Sequence, residues 1–453
     1  MKKEFIHIAF KNIVRHWRKS LITGICISLG FTGIILLGGY MIRMERYLTT
    51  QGIYLNHVGH LAIYKKNGLE RHLVEPQNYG FSLQEQKIIS GKLLARKKVE
   101  HVGHFIHGQG LITNGCNSFP FLVWASEAKT ESYLRNHPLV RERVPLLAKL
   151  KKGQGFWESQ RPGIVVTKRL AELLQKPMIA GEAKEKSEAQ NSLIENCSDA
   201  TSQELTKSHS GVQLLGNSFD GGLAAIDTNI LGHYSTGFAL SEDSSILMPL
   251  PLAQDFFGTE LVTSISVFLK DEVATQSTIR WLRKNMKKWH MDFDIYGYQD
   301  PLVNPFYVGA MRFVYIMNLF FFIIVCGVVI LSLLNAIQIA ILERKSEIGT
   351  LLAVGYRRSH IRNLFEIESL VLASFSIFIG VIISIVLANF VNFLAIPFDI
   401  VGNADKLFLI LEVEWWFCTI LIFFFGLLVY AATSIICRIH LNRPVMKLLE
   451  RID

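Results

Sequence analysis

The chain has 453 residues, 50% of them hydrophobic and only 19% charged, with a mean hydropathy of +0.29. Soluble domains carry about 25% charged residues, so this composition excludes a purely soluble protein and a disordered chain. Six cysteines without a CxxC or CxxxC pair exclude a zinc ribbon, a thioredoxin-type redox motif and a small disulfide scaffold. The formal net charge is +9.

Residues 1–19 carry Lys2, Lys3, Lys11, Arg15, Arg18 and Lys19, and Ile6, Phe10, Ile13 and Trp17 recur at helical spacing among them. That pattern predicts an amphipathic helix lying in a membrane interface. Leu21–Ile42 follows without a charged residue. It is longer than the apolar core of a signal peptide and no small-x-small cleavage site follows Tyr40, so it is expected to stay as a membrane helix. Three more runs, Phe313–Leu342, Ser369–Phe398 and Trp415–Cys437, are free of Asp, Glu, Lys and Arg. A bilayer core takes about 20 apolar residues per helix, and one charge at mid-span costs roughly 2.5–3.5 kcal/mol. Four such runs therefore read as four transmembrane helices.

Between the first two runs, residues 43–311 read as a water-soluble domain. Val58–Tyr64 is extended in character. Ile164–Thr167 reads as a strand leading into a helix at Lys168–Leu174. Ser264–Lys270 alternates Ile265, Val267 and Leu269, as a half-buried strand does. Val273–His290 sets Ile279, Leu282, Met286 and Trp289 on one helical stripe. Strands followed by helices predict an α/β or α+β domain. Residues 181–210 are rich in Lys, Glu, Ser, Gln and Asn, and read as a polar loop inserted in that domain. Cys116 and Cys197 are the two cysteines outside the apolar runs and basic segments, and an oxidising compartment would allow a bridge between them. His101, His104 and His107 stand three apart in an extended stretch, where side chains alternate, so they are not expected to share a metal-binding face. Nothing matches a P-loop, GxSxG, HExxH or a GxGxxG after a strand. No catalytic, cofactor or metal residue is assigned, and no nucleic-acid partner.

Orientation follows from Lys and Arg. Arg344, Lys345, Arg357, Arg358 and Arg362 lie between the second and third runs, and Arg438, Arg443, Lys447 and Arg451 after the fourth. The segment between the third and fourth carries Asp399, Asp405, Glu412 and Glu414 against Lys406 alone. The positive-inside rule then places both termini and residues 343–368 in the cytoplasm, and the large domain outside.

The segment ILERKSEIGTLLAVGYRRSHIRNLFEIESL, residues 341–370, is more than a turn. A short helix is predicted over Glu343–Val354, with Gly355 as a left-handed C-terminal cap and Ser359 as the N-cap of the next helix. Ile348, Leu351 and Leu352 give it an apolar ridge rimmed by Glu343, Glu347, Arg344 and Lys345, which suits docking in a groove of another protein.

ERKSEIGTLLAVGYRRSHI resembles the hallmark of the FtsX-like permease family, an ER-x-x-EIG-x-L-x-A-x-G core followed by basic residues. Asn335, the closing Pro444–Leu449 segment and the opening IAFKNIVRHWRKSLIT are similar to further parts of that family, and GHLAIYKK and SSILMPLPLAQDFF to segments of the MacB-type periplasmic domain. The insert 181–210 and Leu352, where Arg is more usual, depart from the pattern. The resemblance implies three parts: residues 1–46 with the interfacial helix and first span, an extracytoplasmic MacB-like domain at 47–308, and an FtsX-like permease domain at 309–453. It implies a four-helix membrane subunit of a type VII ABC transporter in the bacterial inner membrane, working as a dimer with a second copy or a related subunit. A cytoplasmic ATPase would hold ATP and Mg²⁺ and grip Glu343, Arg344, Glu347, Ile348, Gly349, Leu351 and Gly355. Glu343 and Glu347 would meet basic groups, Ile348 and Leu351 would fill a groove, and Gly349 and Gly355 would allow close approach and the turn. The motion would pass to the outer domain rather than open a channel. The first expectation for cargo is a lipoprotein or other lipid-anchored molecule, as in LolC/LolE-like permeases, with a periplasmic carrier. The alternatives are a MacB-like exporter of small molecules or peptides with a periplasmic adaptor, and an FtsX-like regulator of a cell-wall hydrolase.

Overall fold

The computed structural model describes residues 14–15, 17–159, 162–176, 210–289, 291–343, 345–398 and 406–441. The expected interfacial helix up to Ile13, most of the polar insert with Cys197, and the Pro444–Leu449 segment lie outside the described residues. Two compact units are present, the membrane helices and the domain of residues 46–311.

Four helices are long and apolar enough to cross a membrane. They are α1 (Trp17–Thr50), α7 (Pro305–Glu343), α9 (Arg358–Leu394) and α10 (Trp415–Leu441). Their core gathers Ile27, Phe31 and Ile34 of α1 with Val329, Ile377 and Phe425. The Thr32 hydroxyl donates to the Gly380 carbonyl at 3.1 Å, a polar tie of the kind that joins helices where water cannot. The α7 span is only 11% buried, with Phe313, Ile316, Leu319 and Ile323 facing outward, as suits a hydrocarbon surround. The third span ends four residues before the apolar run does. Ala395 turns left-handed at φ 44, and Pro397 cannot continue a helix, so Pro397–Phe398 is extended instead.

The outer unit is a mixed sheet flanked by helices, inserted between the first and second membrane helices. Its strands are β1 (Leu61–Lys65), β2 (Val99–Thr113), β3 (Ser118–Ser126), β4 (Lys152–Gly153), β5 (Ile164–Thr167), β6 (Gly211–Asn217), β7 (Leu223–Tyr234), β8 (Ser245–Pro249), β9 (Ser264–Leu269) and β10 (Phe293–Gly297). The order is β10-β1-β9-β2-β3-β8-β5-β7-β4, with β6 pairing both β2 and β7. The second pairing closes β2, β3, β8, β5, β7 and β6 into a ring. Most neighbours are antiparallel, and β3–β8 and β5–β7 are parallel. The main core fills with Ile106, Ile112, Phe121, Val123, Leu214 and Ile246. Helices α2 (Leu83–Leu94), α3 (Ala128–Asn136), α4 (Lys168–Leu173), α5 (Leu250–Phe257) and α6 (Ala274–Met286) pack around the sheet. Ser82 caps α2 with a full capping box through Glu85.

Local expectations fare unevenly. β5 and α4 fall where Ile164–Thr167 and Lys168–Leu174 predict them, and Ile279 and Leu282 of α6 are buried. The extended run at Val58–Tyr64 becomes a strand only from Leu61, because His57 and Gly59 take left-handed φ of 59 and 70. β9 is not half-buried. It lies between β1 and β2 and all six of its residues are buried. Cys116 is disulfide-bonded, and Cys26, Cys326, Cys418 and Cys437 are free.

Candidate functional site

The segment between α7 and α9 forms a compact hairpin. α7 runs unbroken to Glu343, and α8 (Lys345–Ala353) follows after Arg344, which lies outside the described residues. Two of the last carbonyls of α8 are satisfied, Thr350 O accepting from Val354 N–H at 3.0 Å and Leu352 O from Gly355 N–H at 3.1 Å. Gly355 then takes φ 102, a conformation that side-chain-bearing residues avoid, and the chain reverses. α9 starts at Arg358, one residue before the expected cap. Arg357 holds the cap position without a side-chain hydrogen bond, and Ser359 is already helical.

Of the predicted coupling residues, Glu343 ends α7, while Glu347, Ile348, Gly349 and Leu351 lie on α8. The side chains of Glu343, Glu347 and Leu351 are outside the described set. Ile348 is 2% exposed. It packs with Ile337 and Ile341 of α7, Ile361 and Phe365 of α9, and Ile436 and Cys437 of α10. Leu352 rests partly buried on the same cluster. Gly349 is buried beside Ile348. Ile348 therefore faces its own bundle and locks α8 to three membrane helices. The end of α8 and the turn after it are different: Thr350, Ala353, Val354 and Arg357 are exposed, with Val354 at 76% and Tyr356 at 52%. Val354 and Tyr356 are apolar groups facing solvent beside Arg357 and Arg358. Sequence reasoning did not single them out, since both lie past the end of the helix, where its periodicity no longer applies. Below this surface, Glu366 is buried with Arg362 Nε at 3.4 Å, one helical turn before it.

Within the outer unit, the ends of α1 and α7 meet. α1 passes into a buried π-helical turn, Gln51–Leu55. Asn304, 3% exposed, donates to the Gly52 carbonyl at 3.2 Å and accepts from the Asn56 amide at 3.0 Å. Thr49 and Tyr307 hydroxyls are 3.2 Å apart. A Cβ on Gly52 would lie 2.9 Å from Asn304 Nδ2, so only glycine permits this approach. Next along the chain, His57 Nε2 stands 2.8 Å from Glu131, whose other oxygen accepts from Arg135 Nε at 2.7 Å. Burial would raise the Glu131 carboxyl, but His57 and Arg135 outweigh it and hold it at about 2. Arg135 also donates to Leu147 O and lies over the Trp157 ring at 4.9 Å. The chain leaving α1 is thereby clamped to α3 by a buried, fully paired network.

The three spaced histidines do not converge. His101 pairs with Thr130, His104 with Ser90 and Glu127, and His107 packs against Trp124. Among the described residues, no group of three or more His, Cys, Asp or Glu could hold a metal ion.

Residues 319–444, which include the hairpin, match the FtsX-like permease C-terminal family. The chain is 24% identical over 210 residues to the macrolide export ATP-binding/permease protein MacB of Escherichia coli, covering 45% of this chain and 32% of that one. It is 31% identical over 146 residues to the ABC transporter permease YtrF of Bacillus subtilis, covering 32% and 31%. The chain thus spans about a third of the length of these curated relatives. Among solved structures, the periplasmic region of MacB from Actinobacillus actinomycetemcomitans aligns with a TM-score of 0.32 at 15% identity, covering 55% of this chain and 91% of that one.

Proposed function

We propose that this chain is the membrane subunit of an ABC transporter, which converts the nucleotide cycle of a separate cytoplasmic ATPase into movement of its own outer domain. The observation that carries this is the hairpin: a short helix fixed to three membrane helices from inside, with an exposed Val354 and Tyr356 beside a basic turn. Its place within the stretch matching the FtsX-like family supports the reading, as do relatives named as ABC permeases. The sequence holds no P-loop, so ATP and Mg²⁺ belong to the partner.

In this reading Glu343, Arg344 and Glu347 face charged groups of the ATPase. Leu351, Val354 and Tyr356 enter its groove, and Gly355 makes the turn. Ile348 and Gly349 transmit the pull to α7, α9 and α10. The Asn304 clasp and the His57–Glu131–Arg135 network carry it onward from the ends of α1 and α7. The protein sits in the inner membrane with both termini cytoplasmic. The disulfide at Cys116 supports an oxidising exterior for the large domain. It works as a dimer, and its first-choice cargo is a lipid-anchored molecule handed to a periplasmic carrier. A second reading, export of a small molecule through a periplasmic adaptor, is favoured by the match to the macrolide exporter.

The test is a photo-crosslinking residue at Val354 in cells that produce the whole chain. A crosslinked band containing an ATP-binding-cassette subunit is expected from position 354 and not from the buried position 348. No such subunit from 354, 356 or 351 would contradict the proposal.

A further inference from the structure

The outer domain holds a cavity of about 780 Å³ framed by Gly108–Leu111 of β2, Pro120–Leu122 of β3, the end of β6 and the His72–Pro76 segment. Its volume is in the range of small-molecule sites. Two properties define what it takes. The first is charge: among the described residues no Asp, Glu, Lys or Arg lines it, and its polar side chains, Gln109, Asn217, Ser218 and Ser244 among them, are neutral. An ionic ligand would be desolvated there without a counter-charge. Its lining includes exposed apolar side chains, with Leu122 43%, Val74 79% and Leu223 96% exposed among the described residues.

The second property is a polar corner. His72 Nδ1 lies 2.8 Å from Gly68 O and 3.0 Å from Leu69 O. Both are acceptors, so Nδ1 carries the proton and the neutral ring leaves Nε2 as an acceptor. Burial lowers the basicity of His72. The His107 ring is 5.8 Å away and forms part of the same wall.

We propose that this cavity binds an uncharged acyl amphiphile, its hydrocarbon chain along the apolar residues of the wall and a neutral hydroxyl or amide head donating to His72. The source is either a membrane lipid or the lipid anchor of a protein, and only the second depends on the lipid-anchored-cargo reading above.

The experiment uses the full chain in nanodiscs, without ATPase or nucleotide, so a failure here leaves the hairpin reading untouched. The probe is a monoacylglycerol with a diazirine on its acyl chain, and labelled peptides are mapped by mass spectrometry. Labelling is expected to concentrate on residues 72–76, 107–111 and 120–122, and to fall at least tenfold in Leu122→Glu and Val74→Glu. Both positions are exposed, so these variants fold. Leu240→Glu, also exposed but outside the cavity, should label as the parent does. Unlabelled monopalmitoylglycerol should compete at least tenfold better than palmitate, and His72→Phe should erase its advantage over methyl palmitate. Stronger competition by a diacylated lipopeptide assigns the site to lipid-anchored protein, and equal competition assigns it to membrane lipid. Labelling spread evenly over the outer domain, palmitate competing as well as its glycerol ester, or cavity protection caused by a second copy crosslinking at Leu223 would each overturn the proposal.

Discussion

Ile348 and Val354 lie on one short segment and point in opposite senses, one 2% exposed and the other 76%. In the proposed function the difference separates anchoring from docking. The EIG motif drew attention to Ile348 and Leu351 as partner-facing, yet Ile348 is consumed by the bundle, because α8 lies where α7, α9 and α10 leave apolar ends to cover. A motif marks that a residue matters without telling which way it faces. Gly355 was legible for a physical reason: a helix that must reverse within a few residues needs a positive φ, and glycine takes it without strain. A valine there costs about 1–3 kcal/mol of backbone strain. In proteoliposomes with the cognate ATPase, Gly355→Val and Glu347→Lys should cut the nucleotide-dependent signal from a fluorophore at Leu223→Cys at least tenfold. ATP hydrolysis should persist, and Gly355→Asn, which tolerates the left-handed region, should restore the signal. A full signal in both variants would remove the hairpin from the coupling path.

At the scale of elements, helix length is the informative quantity. α7 has 39 residues and at 1.5 Å per residue runs about 58 Å, against a hydrocarbon core of about 30 Å. α1, with 34 residues, runs about 51 Å. Both are therefore helical rods longer than a membrane core is thick, and within the outer unit Asn304 fastens the segment after α1 to the start of α7. Asn304→Leu strands the Gly52 carbonyl and the Asn56 amide at about 1–3 kcal/mol each. Hydrogen–deuterium exchange over residues 51–57 should rise at least tenfold with the membrane helices unaffected, whereas unchanged exchange would show that the clasp holds nothing. The apolar runs announced these rods, but the clasp rests on an asparagine 252 positions from its partner, a separation that no local pattern reveals. β9 misleads for a related reason. Ser264 and Ser266 between its apolar residues read as a wet face, but serine is small enough to bury, and Ser266 donates to the His57 carbonyl at 2.6 Å.

For the whole molecule, the sequence made the division into four spans and one large inserted domain plain, since a charge-free run longer than a bilayer is thick has few other uses. The closed ring of strands was not legible, because β6 meets β2 across about a hundred residues and β7 must serve β5, β4 and β6 at once. The apolar cavity was equally hidden, being assembled from β2, β3, β6 and a distant loop. The proposed function depends on which side of the membrane each part occupies: a handle for a cytoplasmic motor has to be cytoplasmic, and the cavity proposed to bind an acyl chain has to face outward. The four free native cysteines are buried or half-buried, so single introduced cysteines report cleanly. Treating intact spheroplasts with a membrane-impermeant maleimide should label Leu223→Cys at once and Val354→Cys only after permeabilisation. Labelling of Val354→Cys in intact spheroplasts would place the hairpin on the wrong side for an ATPase and contradict the account.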